Sequence, residues 1–322
     1  MANRMNIPHP ASTRSSIAIY DRAQTAALLD FAELVDAIAA AAQELEAGAI
    51  RSPERLVVPL GEGAVMLSMP AAAQDIAIHK LVNVHPDNKR LGLPAIHGAV
   101  TVCDTATGQV QCVLDGPEVT GRRTAAVSLL AIRQLLPHAP RHILLVGTGI
   151  QARYHVQALQ ALYPQAQAWV QARTHDDAAR FCDVHGAMHG RLRPRTTDAP
   201  AFDVVITLTT SLEPVYDEAP RSGCLVIGVG AFRPEMAELG AATLAGSDLY
   251  ADDPAGARHE AGDLLRAGVD WSRVVSLGVL LRAPADSTRP AVFKSVGTAA
   301  WDLAAARVAL RRAGGAEGSV RQ

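Results

Sequence analysis

A chain of 322 residues that is 49% hydrophobic can bury a substantial core and is expected to divide into two domains. Its net charge of −2 and the lack of any basic block exclude nucleic acid and anionic membranes as partners. No apolar run is long enough to span a bilayer, and residues 1–16 hold no signal-like apolar region, so a cytoplasmic location is expected.

In chain order, residues 16–20 read as a short strand, and residues 21–29 and 31–47 carry helical spacing. Asp30 stands at the cap position of the second helix, and Gly48 lies just beyond its end. Residues 55–60, 64–69, 76–84, 96–103 and 109–114 are β-prone runs punctuated by turns. Thr105-Ala106-Thr107-Gly108 forms a hairpin connection across which Cys103 and Cys112 can face each other. This block reads as a mostly antiparallel sheet carrying helices. A helix over residues 117–136, with small residues along it, leads into a second block. There, strands near 141–146, 168–174, 203–208, 225–229, 248–251 and 274–277 alternate with helical or loop segments. That rhythm predicts a parallel, doubly wound sheet. A strand at 291–296 and an amphipathic helix at 299–312 follow, the helix expected to return to the first block.

Within the second block, an apolar strand ends at Val146 and is followed by Gly147-Thr148-Gly149-Ile150-Gln151-Ala152 and a helical pattern. This is the context the dinucleotide fingerprint requires. Gly147 permits a tight turn, Gly149 lets backbone approach a pyrophosphate, and Ala152 lets helix and strand pack closely. At the end of the next strand no acid is placed for a ribose hydroxyl; Asp176 and Asp177 come later. Arg173 and Thr174 offer a charge and a hydroxyl to a 2′-phosphate instead, which favours NADPH and leaves NADH open.

The four cysteines show no CxxC spacing and the histidines no HxH pair, so neither a metal site nor a redox motif is expected. Lysine occurs only at Lys80, Lys89 and Lys294 against 27 arginines. A lysine inside an apolar strand, as at Lys80, is therefore a hint that a compact ammonium is wanted there. Together with Arg55 and Arg123 it makes a candidate carboxylate clamp, if the three converge.

Several segments then fall in the order seen in one family. They are Lys80-Leu81-Val82-Asn83-Val84-His85-Pro86-Asp87-Asn88, Gly92-Leu93-Pro94, Asp104 to Gly108, Leu114-Asp115-Gly116 with Thr120, Arg123-Thr124-Ala125-Ala126, Val146 to Ala152, and Ser295-Val296-Gly297. Over nearly its whole length the chain resembles the ornithine cyclodeaminase/μ-crystallin family. The resemblance implies an α/β homodimer. It pairs a Rossmann-type doubly wound parallel sheet, residues 121–291, with a discontinuous α+β substrate-binding and dimerisation domain, residues 1–120 and 292–322. It also implies that Arg55, Lys80 and Arg123 hold a substrate carboxylate, that Met69, Thr120 and Phe232 line the substrate site, and that Thr124 and Gly297 join the cofactor residues. In the β-strand region Arg51 lies close to Arg55, and Asn83 is a further positioning candidate.

The departures from the family pattern point to the chemistry. Ornithine cyclodeaminases resemble one another in an acid at the place of Phe232 and another near Leu67, ahead of Met69-Pro70. With both apolar, a diamino acid's distal ammonium loses its partners. The Gly230-Ala231-Phe232-Arg233-Pro234 form looks like μ-crystallin and the bacterial ketimine reductases, which reduce Δ1-pyrroline-2-carboxylate and Δ1-piperideine-2-carboxylate. The implied reaction is hydride transfer from NADPH to the imine carbon, with Arg55 and Arg123 orienting the carboxylate and Lys80 able to supply a proton. Ornithine cyclodeaminase, an alanine-type dehydrogenase and an NADPH-binding protein with little turnover stay open as alternatives.

Overall fold

The computed structural model describes residues 16–283 and 288–319. After β1 (Ala18–Ile19), helices α1 (Arg22–Leu28) and α2 (Phe31–Glu46) start on aspartate caps. Asp21 accepts from Gln24 N, and Asp30 accepts from the amides of Ala32 and Glu33. The strands β2 (Leu56–Gly61), β3 (Ala64–Ala72), β4 (Ile76–Val84), β5 (Ile96–Asp104) and β6 (Val110–Asp115) form an antiparallel meander. β1 joins it in parallel beside β6, giving the order β1-β6-β5-β4-β3-β2. Alternation along β4 turns Ile78, Lys80 and Val82 inward, level with Met69 and Ala71 of β3 and Val100 and Val102 of β5. Cys103 and Cys112 do not face each other. A register shift after Val102 pairs Cys112 with Val102 and Cys103 with Val110, which puts the two thiols on opposite faces.

Helix α3 (Gly116–Leu135) runs unbroken through the expected boundary at residue 120. The second sheet then collects β7 (His142–Val146), α4 (Ile150–Leu162), β8 (Gln167–Gln171), α5 (His175–His185), β9 (Leu192–Pro194), β10 (Val204–Thr207), β11 (Leu225–Gly228), α6 (Ala241–Ala245), β12 (Asp248–Ala251), α7 (Pro254–Glu260), α8 (Gly262–Ala267), β13 (Val274–Ser276), α9 (Leu277–Leu280) and β14 (Ala291–Lys294). All its strands are parallel, in the order β13-β12-β14-β11-β10-β7-β8-β9. This is the α/β fold with a Rossmann-type sheet. Two strands depart from expectation. β9 is a short edge with no apolar run of its own. β14, expected with the C-terminal segment in the substrate domain, lies inside the Rossmann sheet between β11 and β12. The last helix, α10 (Ala299–Ser319), does return to the first sheet, packing on α2, α3, β3 and β4. One apolar core therefore runs from the inner face of the first sheet through α2, α3 and α10 to one face of the second. No helix among the described residues is long and apolar enough to cross a membrane.

Candidate active site

The crevice where strand order reverses, between β7 and β10, holds a cleft of about 860 Å³. Gly147, Thr148 and Gly149 line it after β7, Arg173 and Asp177 after β8, and Thr209 and Ser211 after β10. Gly147 sits at φ +121, and a Cβ there would come within 2.8 Å of the Leu208 carbonyl oxygen. A Cβ on Gly149 would meet nothing within 4 Å. α4 starts at Ile150 without a side-chain cap, so its first amides are available to an anion, and Ala152 is fully buried. Gln151 contributes its carbonyl to His155 within the helix. These residues fit the diphosphate of a dinucleotide. Thr174 is placed otherwise than expected. Its hydroxyl caps α5 and bonds Asp177, and it lines a neighbouring hollow, whereas Asp177 itself borders the cleft beside Arg173.

The cations converge. Lys80 Nζ lies 2.6 Å from Asp302 Oδ2, and Arg123 Nε lies 3.4 Å from Asp302 Oδ1, with all three side chains buried. Arg55 reaches the same cluster from the segment before β2. Its Nη2 donates to the carbonyls of Gly297 (2.8 Å) and Val296 (3.3 Å), and its Nε pairs with Glu260 at 2.9 Å. Gly297, at φ +79, lies directly on the Arg123 guanidinium; a Cβ there would stand 2.7 Å from Nη1. Burial pushes the Lys80 ammonium down to about 8. Asp302 opposes that shift, while Arg123 and Arg55 add to it. Burial likewise raises the Glu260 carboxyl to about 7, against the pull of Arg55. Thr120 Oγ1 and Glu260 Oε2 are buried in this region without a hydrogen-bond partner.

Around the clamp, Met69 stands opposite Lys80 in the β3–β4 register, and Leu67 shares its face. Thr124 is buried next to Arg123 on α3. Gly297 belongs with the clamp and is absent from the lining of the dinucleotide cleft. Phe232 is half-buried in the loop after β11, its ring 5.6 Å from the Arg233 guanidinium. Asn83 lies on the opposite face of β4 from Lys80, and Arg51 is exposed in an isolated bridge to Ala72. Two acids were not anticipated. Asp302 sits in an alanine-rich helix, and Glu260 reads from sequence as a helix-surface residue.

The family model for the ornithine cyclodeaminase/mu-crystallin family matches residues 17–317. A Δ1-pyrroline-2-carboxylate/Δ1-piperideine-2-carboxylate reductase of Azospirillum brasilense is 54% identical over 93% of this chain and 99% of its own. The ketimine reductase mu-crystallin of Mus musculus is 31% identical over 81% of this chain and 85% of its own. Among solved structures, a Thermococcus litoralis Δ1-pyrroline-2-carboxylate reductase in complex with NADH and L-proline shares the fold. It has a TM-score of 0.84 at 23% identity, covering 92% of this chain and 97% of that one. Similarity of this extent to nicotinamide-dependent oxidoreductases supports reductase-type activity in general terms. The chain belongs to the ornithine cyclodeaminase/μ-crystallin family.

Proposed function

We propose that the chain is an NADPH-dependent reductase of cyclic imino acids, converting Δ1-pyrroline-2-carboxylate to L-proline and Δ1-piperideine-2-carboxylate to L-pipecolate. The observation that carries this reading is the meeting of Lys80, Arg123 and Arg55 beside the apolar Met69 and Leu67, which suits one carboxylate attached to an apolar ring. The identities to reductases of these substrates support it.

In this reading Arg55 and Arg123 hold the substrate carboxylate and so fix the imine carbon relative to the cofactor cleft. Lys80 Nζ completes the clamp. With its proton affinity lowered to about 8, it holds a proton it can pass to the imine nitrogen. The orphaned Thr120 hydroxyl offers one further hydrogen bond. Bound NADPH supplies the hydride. The turn at residues 147–149 and the start of α4 would take its diphosphate, and Arg173, on the cleft wall, would face a 2′-phosphate. Asp177, beside Arg173, keeps NADH usable. A homodimer is part of the proposal. Among the described residues the edge strand β2 pairs only with β3, and it exposes Leu56, Val57 and Leu60, an edge that a second copy would cover.

The test is loss of NADPH absorbance by purified protein with each imine, beside ornithine with NAD⁺ and pyruvate with ammonia. Turnover of either imine, cut on the order of a hundredfold in Lys80→Ala and Arg123→Ala, is the expected result. Ammonia release from ornithine, preferential amination of pyruvate, or NADPH binding with no turnover would each replace the proposal.

A further inference from the structure

We propose that Asp252 is the positioning residue of the carboxylate clamp, and that it sets where Arg55 and Arg123 stand relative to the Rossmann sheet by holding the turn at residues 295–297. The proposal rests on reading those arginines as ligands of a substrate carboxylate.

The argument starts from strand register. β12 and β14 run side by side with Ala251 opposite Lys294, so the next residues, Asp252 and Ser295, emerge together at the C-terminal end of the sheet. Asp252 is almost fully buried, and both of its oxygens are saturated. Oδ1 accepts from the amides of Val296 (2.9 Å) and Asp253 (3.0 Å). Oδ2 accepts from Ser295 Oγ (2.8 Å), the Gly297 amide (2.9 Å) and Trp301 Nε1 (3.2 Å). Its own amide donates to the Lys294 carbonyl. One acceptor-only carboxylate thus fixes three consecutive residues and the first turn of α10.

Every member of the clamp refers to what Asp252 fixes. The carbonyls of Val296 and Gly297 receive Arg55, the Cα of Gly297 is the surface against which the Arg123 guanidinium lies, and α10 carries Asp302, the partner of Lys80. Ser52, three residues before Arg55, adds a hydroxyl contact to Thr298 at 2.7 Å. Arg55 and Arg123 belong to the segments of the first sheet and α3, while the hydride must arrive from the second sheet. The turn held by Asp252 is where the two meet. An aspartate is required because the donors converge as N–H and O–H groups. An asparagine of the same shape would aim its own NH₂ at one set of them and release that part of the turn.

The test is a double-mutant cycle of Asp252→Asn with Arg55→Ala. Its readouts are the inhibition constant of pyrrole-2-carboxylate against the imine, the dissociation constant of NADPH, and thermal melting. Asp252→Asn is expected to weaken the inhibitor about tenfold with NADPH affinity unchanged, and to weaken it by less than about threefold in the Arg55→Ala background. Ser295→Ala removes one of the five bonds and leaves the aspartate in place. It is the variant to use if Asp252→Asn does not fold, and it is expected to give a smaller effect with the same non-additivity. Penalties that multiply across the cycle, or that fall equally on NADPH, would overturn the positioning role and make Asp252 a general structural residue. An Arg55→Ala variant that binds the inhibitor as well as the parent protein would overturn the clamp reading itself, and this inference with it.

Discussion

If the clamp binds a carboxylate as proposed, Lys80 makes its affinity depend on pH in a definite direction. Its ammonium is buried, pushed down to about 8 chiefly by desolvation, and surrounded by Asp302, Arg123 and Arg55. The charged form holds an anion. At about pH 7 some nine-tenths of the lysine is protonated, and at about pH 9 only about a tenth. Pyrrole-2-carboxylate is a suitable probe because it does not titrate in this range. Its inhibition constant is expected to be flat from about pH 6 to 7 and to rise about tenfold by about pH 9. The rise is capped by the worth of one charge-assisted hydrogen bond, about 1.5–3 kcal/mol or roughly 10- to 150-fold. Lys80→Met is expected to start at that capped value and stay flat. Between about 8 and 10.5 the unfolded chain holds a proton on Lys80 that the folded chain has lost, so this group makes the fold more stable as pH rises. An unchanged inhibition constant in Lys80→Met, or the same slope in both proteins, would refute the reasoning.

Glu260, raised to about 7 from 4.5, keeps a proton in the folded state that the unfolded chain gives up. Its contribution to stability is whole below about 4.5 and is lost as pH rises through about 7; Glu260→Gln should therefore narrow the gap between melting temperatures at about pH 5.5 and pH 8. Gly297→Ala places a methyl 2.7 Å from the Arg123 guanidinium at a φ of +79. A loss of about 1–2 kcal/mol, seen as a melting shift of about 2–3 °C, should accompany a drop on the order of tenfold in kcat/KM for the imine. Arg173→Ala should raise KM for NADPH about tenfold and leave KM for NADH nearly unchanged; equal effects on both would assign Arg173 to the diphosphate instead.

The sequence reveals the cofactor cleft well because the fingerprint is local. Gly147, Gly149 and Ala152 each answer to a backbone requirement met within one strand-turn-helix. The cations are legible for a different reason. Lys80 stands out as one of three lysines in an arginine-rich chain, inside a strand whose alternation turns it toward the core. Placing β14 requires more than its own four residues. Ala291–Lys294 is a short apolar run like many others, and only the pairing with β11 and β12 puts it in the second sheet. The acids are hidden for a physical reason as well. Asp302 interrupts an alanine-rich helix as any solvent-facing residue would, and Asp252-Asp253 before Pro254 looks like an ordinary helix start, a role that Asp253 does fill. What distinguishes Asp302, Glu260 and Asp252 is long-range: each meets groups that are distant in the chain.

Those acids also bear on what the site selects. Lys80, Arg123 and Arg55 bring three cations together, with Asp302 facing Lys80 and Arg123, Glu260 facing Arg55, and Asp252 under the turn that Arg55 and Arg123 lie against. A second anionic group would be repelled by Asp302 and Glu260 once the cations are satisfied. A distal ammonium would meet the apolar side chains of Met69 and Leu67 on β3. The two proposed substrates would share the clamp, so preference between their rings would be set by packing beside Met69 and Leu67.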